Sequence, residues 1–492
     1  MNLARPFSYP RSRQNLLAIR SLLAIAACFL AATVTTAAQT WKLTWSDEFN
    51  GPANSPISPQ NWQYDTGILN VNNEVEYYCA PGSSTSPCNP NTPNAYIDGN
   101  GHLVIQALRI TSNTAPYSAS WTSARLNTSN NLQSFPYGRI ESSMSLPVGP
   151  GLWPAFWALG TNIGSVGWPA SGEMDFMENV PASGGLGPTA IRSTIHGGNS
   201  SSSCYCGANG IGQSYTFPAS DPNGTTVTTF HTYGAIWSAN MIQFYADNPA
   251  SVFFVVTASD IPSGFTWDYN HPFFLLMNLA VGGTGSWPGP PDNTTPSPAV
   301  MQVDYVRVYT PSAIAGPTMT GPAISVTAGQ TGTSTLNLNS IAGSGRVYLS
   351  CTTTAPKATC AVNSADKLNP HTVDFSQSAT GAATVTVTTT ANTHASTSSP
   401  TAWLLGSWLL IGGLFLLPVK AARERRAAAK VGLMLLLVLF PGCGSGSATN
   451  TGSGGSGNGT PSGNYSVTVS AYTVSNSGGS PDSSASLSLT VK

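Results

Sequence analysis

Gly172-Glu173-Met174-Asp175-Phe176-Met177-Glu178-Asn179 packs three carboxylates into six residues of a segment that otherwise reads as a buried strand. Side chains on a strand alternate between its faces, so Glu173 and Asp175 share one face while Met174 points to the other. Glu178 stands five positions after Glu173, an odd step that a regular strand turns to the opposite side. One extra residue, inserted as a β-bulge near Phe176-Met177, returns Glu178 to the face of the other two. Like charges crowded on one face repel, which is costly unless a site uses them. The stretch therefore predicts a bulged strand in a β-sheet, with its acidic face as the candidate site.

Retaining glycosidases use such a pair. One carboxylate attacks the anomeric carbon and a second, about 5–5.5 Å away, protonates the leaving oxygen. Strand steps of roughly 3.3 Å set the two glutamate backbones about 13 Å apart, a gap that long side chains leaning over a shorter aspartate narrow. A calcium site and an acidic solvated edge read from the same residues.

Around this stretch, from Trp41 to Tyr309, short runs rich in Val, Ile, Tyr, Phe and Trp alternate with turn clusters, and no long 3.6-residue period intervenes. That pattern predicts an all-β fold, a sandwich or jelly roll. The chain, at 492 residues, is long enough for two or more units. Only 8% of its residues are charged, against about a quarter in an average soluble protein. Sixteen Asp and Glu against six Lys and Arg leave residues 39–312 at −10, a surface unsuited to nucleic acid.

Three further motifs frame the acidic strand: Tyr137-Gly138-Arg139-Ile140-Glu141, Gly151-Leu152-Trp153-Pro154-Ala155-Phe156-Trp157, and His271 to Gly283 followed by Trp287-Pro288-Gly289. With Glu173 to Glu178, their order and spacing resemble glycoside hydrolase family 16, and within it the bacterial laminarinase-like endo-β-1,3-glucanases, over about residues 41–310. The resemblance implies a jelly-roll, concanavalin-like β-sandwich with a substrate cleft across its concave sheet. It makes Glu173 the nucleophile, Glu178 the acid/base and Asp175 the helper between them, and the bulged spacing matches one form of the family motif. It also puts Asn72, Arg125, Trp153, Trp157, Trp168 and His196 at substrate-contacting positions. Tryptophans suit a saccharide groove because flat rings stack on the C–H face of a sugar, although large aromatics more often serve as core. Asn278 reads either as a donor to a sugar hydroxyl or as a satisfied core amide. Catalysis of this kind requires no cofactor. Asp304, near the last strand, matches the position through which some relatives bind a structural calcium, and one Asp with backbone carbonyls is the whole of that donor set.

The implied ligand is a neutral β-glucan, since a unit at −10 opposes a sulfated polymer at long range. Mixed β-1,3/1,4-glucan, agarose and transglycosylation stay open, as does a non-catalytic glucan-binding protein on the same sandwich. The expected form is a monomer.

The rest of the chain divides by composition. Residues 1–38 read as an export signal, with Arg11, Arg13 and Arg20 before the apolar run Leu22 to Leu30 and a small-residue cleavage site at Thr36-Ala37-Ala38. Ile25-Ala26-Ala27-Cys28 offers a lipoprotein alternative. Beyond the 39–312 unit, 313–322 reads as a linker and 323–392 as the first part of an Ig-like β-module. Two apolar runs with a basic loop between them, 403–441, suggest a membrane hairpin or anchor, 442–463 a Gly/Ser linker, and 464–492 the final strands of the Ig-like module. These features predict an exported protein, held at the membrane through 403–441. Among the cysteines, Cys351 and Cys360 form the cleanest disulfide pair, and Cys79 and Cys88 suit one loop. A bridge between Cys204 and Cys206 looks strained, which leaves pairing across to the Cys79/Cys88 loop as an alternative.

Overall fold

Where no helical period runs through the sequence, buried backbone groups are satisfied chiefly by pairing strands. A computed structural model describes residues 39–111, 120–130, 132–391, 458–476 and 478–492, and it is almost entirely β, with one α-helix of four residues, Ile163–Val166, among them.

Residues 41–311 form two sheets. A 10-stranded sheet runs Val252–Thr257, Met241–Ala246, His231–Ser238, Gly138–Ser145, Ala299–Pro311, Leu103–Arg109, Trp121–Ser123 and Glu76–Tyr78, with Trp41–Asp47 and Ala95–Ile97 pairing off that path. The 8-stranded sheet runs Ser203–Tyr205, Ala190–Ser200, Glu173–Glu178, Leu152–Gly160, Phe273–Val281, Arg125–Asn127 and Gln63–Asp65, with Ile211–Thr216 also on Ala190–Ser200. Trp41–Asp47 pairs antiparallel with Ala299–Pro311, so the two ends of the unit close on each other. The sheets stack through one core. Phe156, Met174, Phe176, Leu275, Met277 and Leu279 of the smaller sheet meet Ile140, Met144, Tyr233, Trp237, Met301 and Val303 of the larger. Burying each such side chain contributes about 1.5–3 kcal/mol. The expected all-β jelly-roll sandwich is the fold observed.

A second sandwich follows. Thr318–Thr320, Thr331–Asn339, Thr380–Thr389 and Ala358–Ser364 make a 4-stranded sheet. Ile324–Val326, Ser483–Val491, Gly463–Tyr472, Arg346–Thr353 and Thr372–Asp374 make a 5-stranded one. Leu336, Val347, Val385, Val467 and Leu489 share its core, so the tail strands pack with the segment before the apolar runs. Thr318–Thr320, within the stretch read as a linker, is an edge strand of this sandwich.

Three disulfides close, Cys79–Cys88, Cys351–Cys360 and Cys204–Cys206. The last corrects the expectation of a cross-link to the Cys79/Cys88 loop. Residues i and i+2 of an extended strand point to the same face, and here their Cα atoms are 5.3 Å apart. Cys79 follows Glu76–Tyr78, whose Tyr78 bridges Gly67 at the opposite end of the 8-stranded sheet from Ser203–Tyr205. The export signal at 1–38, the hairpin at 403–441 and most of the linker at 442–463 lie outside the described residues. Among those described, no helix is long and apolar enough to cross a membrane.

Candidate active site

Glu173–Glu178 sits inside the 8-stranded sheet between Leu152–Gly160 and Ala190–Ser200. Gly172 enters it at φ 71°, where a Cβ would meet Asp268 O at 2.7 Å, so the turn into the strand requires glycine. Against Leu152–Gly160 the register is regular from Glu173↔Leu159 to Asp175↔Trp157, then shifts before Met177↔Phe156 and Glu178↔Ala155. Phe176 and Met177, adjacent in sequence, both enter the core beside Met174. Two consecutive inward residues are the bulge, and they return Glu178 to the face of Glu173 and Asp175.

Each carboxylate has a distinct set of neighbours. Trp168 Nε1 donates to Glu173 Oε2 at 2.7 Å, and Trp153 Nε1 donates to Glu178 Oε1 at 3.0 Å. Asp175 is 3% exposed, and His196 Nε2, from the strand position opposite Glu173, lies 3.0 Å from its Oδ2. That separation suits an ion pair, but the ring N–H is not aligned for a hydrogen bond, and His196 Nδ1 is also buried without one. Burial pushes all three carboxyls up to about 8. The charge of Asp175 adds to the rise for both glutamates. His196 and a tryptophan N–H, from Trp168 or Trp153, ease each glutamate downward, while Arg125 lowers Glu173 further and Glu173 raises Glu178. Both carboxyls are held near the same value in one cluster, where ionisation of one raises the other.

Beyond Trp157 the site continues as a chain of hydrogen bonds. Trp157 Nε1 donates to Asn278 Oδ1 at 2.8 Å, Asn278 Nδ2 to Tyr78 Oη at 3.2 Å, and Tyr78 Oη to Glu74 Oε2 at 3.5 Å. The exposed Asn72 donates to Glu74 Oε1 at 3.1 Å. Arg125 lies 4.6 Å over the Trp157 ring and is held by Asp65 at 2.7 Å. Asn278 is 5% exposed with both amide ends engaged, which is the satisfied-amide reading and makes it an orienter of Trp157. The 42% exposed Trp168 is brought to Glu173, and Trp153 meets the 37% exposed Trp287 edge-on at 5.7 Å. Sequence reasoning had Trp287 within a motif without assigning it to the cleft, and it missed Asp65 and Tyr78. The Asp65–Arg125 register is set by strands 60 residues apart, so no local pattern in the sequence marks it.

Asp304 stands at a register shift of Ala299–Pro311, away from the carboxylate sheet. Among the described residues it joins no group of three or more His, Cys, Asp or Glu side chains close enough to hold an ion. A single carboxylate is a thin donor set for calcium, and no step of the chemistry is routed through a metal. Glu173, Asp175 and His196 do bring ligand atoms within 4.8 Å of one another, as do Asp221, His231 and Asp247. In the second group His231 Nδ1 is already paired with Asp247 Oδ2 at 2.8 Å.

This chain is 34% identical over 281 residues to a glucan endo-1,3-beta-glucosidase A1 of Niallia circulans, covering 54% of this chain and 37% of that protein. It is 34% identical over 279 residues to a beta-glucanase of Rhodothermus marinus, covering 55% of this chain and 85% of that one. A solved endo-beta-1,3-glucanase from Pyrococcus furiosus aligns at 38% identity with a TM-score of 0.46, over 56% of this chain and 96% of that one. Residues 90–307 match the glycosyl hydrolases family 16, and with relatives matched over most of their length the chain belongs to that family.

Proposed function

We propose that the protein is a retaining endo-glycosidase that hydrolyses internal β-1,3 bonds of a neutral glucan such as laminarin. The observation that carries this reading is the bulge, which sets Glu173, Asp175 and Glu178 on one face with the two glutamates hydrogen-bonded to different tryptophans. Glu178, holding its proton, protonates the leaving oxygen while Glu173 attacks the anomeric carbon to form a glycosyl-enzyme. Glu178, now ionised, takes a proton from water as that water releases the sugar from Glu173. Asp175 acts through the two glutamates, raising the carboxyl of each when it is ionised.

The relatives named for endo-1,3-beta-glucosidase and beta-glucanase activity favour a glucan over a galactan. Three disulfides suit an oxidising compartment, in keeping with export. The reading extends to a monomer tethered through 403–441, with the second, Ig-like sandwich as a spacer and calcium at Asp304 as no part of the reaction. Reducing-end release from laminarin, lichenan, agarose and carrageenan tests the substrate, and proton NMR of the first sugars formed tests retention. Laminarin is expected to be cleaved fastest and to give the β-anomer first. Glu173→Ala and Glu178→Ala should each lower turnover on laminarin by about 100- to 10,000-fold without unfolding the protein. Near-normal turnover in either variant removes that residue from its role.

A further inference from the structure

Arg192 stands on the cleft face without a hydrogen-bond partner, and its charge draws the Asp175 carboxyl downward. It is in register with Glu178 across the Glu173–Glu178/Ala190–Ser200 pair, and directly opposed residues of antiparallel strands point to the same face. Its guanidinium lies over Gly212, where a Cβ would come within 3.0 Å of Nη2, so the missing side chain leaves the room it occupies. Four other arginines lie in residues 39–312, and each is engaged. Arg125 pairs with Asp65, Arg139 with Glu141 and Arg307 with Glu48, while Arg109 donates to the Asp292 carbonyl. Arg192 is part-exposed and, among the described residues, makes no hydrogen bond and has no carboxylate within 4.0 Å.

The carboxylates divide the cleft. Trp157, Asn278 and Arg125 lie on the strands to one side of Glu173–Glu178, and Arg192 lies with Thr194 and His196 on the other. On the first side the arginine is neutralised by Asp65, an arrangement suited to uncharged hydroxyls. On the second, Arg192 acts on Asp175 through its charge alone, and its N–H donors are left for a ligand. A guanidinium presents a planar fork of N–H donors that matches the paired oxygens of a carboxylate or a sulfate ester.

Building on the glycosidase reading above, we propose that Arg192 forms a subsite for an acidic substituent on the sugar unit lying over the Ala190–Ser200 side of the cleft. The net charge of −10 on residues 39–312 opposes a densely charged polymer. The ligand is therefore a mainly neutral glucan carrying scattered acidic groups, recognised locally within a Debye length.

The test compares kcat/KM on laminarin with kcat/KM on β-1,3-glucan carrying a low degree of carboxymethyl or of sulfate substitution. The two charged polymers separate a carboxylate from a sulfate ligand. Arg192→Gln should lower the charged-to-neutral ratio about tenfold on the preferred polymer, and Arg192→Lys, which keeps the charge and loses the fork, should lower it less. For the native protein alone, raising NaCl from 50 to 500 mM should lower the same ratio, a readout that does not depend on the variants folding. A ratio unmoved by Arg192→Gln in a protein that melts normally, or by salt in the native protein, overturns the subsite. Should the native protein cleave none of the polymers, the glycosidase reading falls, and affinity electrophoresis in the same polymers decides on Arg192. Retardation by a charged polymer that Arg192→Gln loses then supports the subsite, and equal retardation overturns it.

Discussion

Asp175 lies between two glutamates with one carboxylate oxygen beside His196 and no hydrogen bond aimed at it. Its carboxyl is pushed up to about 8, first by burial, against a value near 3.9 in an unfolded chain. A carboxyl raised on folding binds its proton more tightly in the native state. Its contribution to stability is therefore complete below the unfolded value and is lost as pH rises through about 8. Asp175→Asn removes that titration. The fall in Tm between pH 5 and pH 9, measured by calorimetry, should shrink by at least about 3 °C in the variant, and an unchanged fall would take Asp175 out of the pH response. Tyr78 offers a second single-residue test. Tyr78→Phe leaves Asn278 Nδ2 without its acceptor, which costs about 1–3 kcal/mol, and it loosens the amide that fixes Trp157. KM for laminarin should rise several-fold while kcat changes little. A loss confined to kcat would place Tyr78 in the chemistry instead of in sugar positioning.

At the scale of the element, the bulge is what lets two glutamates five positions apart share the cleft face. Deleting Met177 removes the bulge and leaves Glu178 four positions after Glu173, an even step that keeps it on the cleft face. Turnover on laminarin should persist, and the protein should melt lower because the Met177 side chain leaves the core. Loss of all turnover in a deletion variant that still folds would mean that the bulged spacing itself, and not only the shared face, aligns the acids. This element was readable before any coordinates, because an odd step between two acids with two large apolar residues between them fits one sheet only if the strand bulges. The same reasoning failed at Cys204 and Cys206, where spacing argued for strain but the local hairpin brings the pair together. It also could not foresee the bond between Asn278 and Tyr78. Those residues are 200 positions apart, and the Tyr78 strand crosses to the other sheet, so no local pattern records their meeting.

Over the whole molecule, the alternation of Thr331–Asn339 and Ser483–Val491 was enough to mark strands, but which sheets they would share depends on long-range pairing. The packing of the second sandwich on the first was not legible either, since its contacts are single side chains on otherwise ordinary strands. Ile236, Met241, Tyr245 and Val255 of the first sandwich bury against Tyr348 and Val474 of the second. Ser259 Oγ and Tyr348 Oη are 2.8 Å apart, and Asn369 Nδ2 donates to Val255 O at 3.2 Å. These contacts cover the end of the 10-stranded sheet at Val252–Thr257, an edge that would otherwise offer unpaired backbone to another chain. The carboxylates stand on the other sheet, so the two functions of the fold separate in space. Ending the chain at residue 312 should therefore lower the Tm of the first sandwich by several degrees and increase self-association in light scattering, with kcat/KM on laminarin held within about twofold. Asn369→Ala in the full chain, which leaves the Val255 carbonyl without that donor, should lower Tm in the same direction by a smaller amount. If the full chain melts in two transitions and the shortened one reproduces the first of them unchanged, the apolar contact carries no stability and the sandwiches fold independently. A single transition that the shortening moves downward means that the edge of the catalytic sandwich is stabilised by its neighbour.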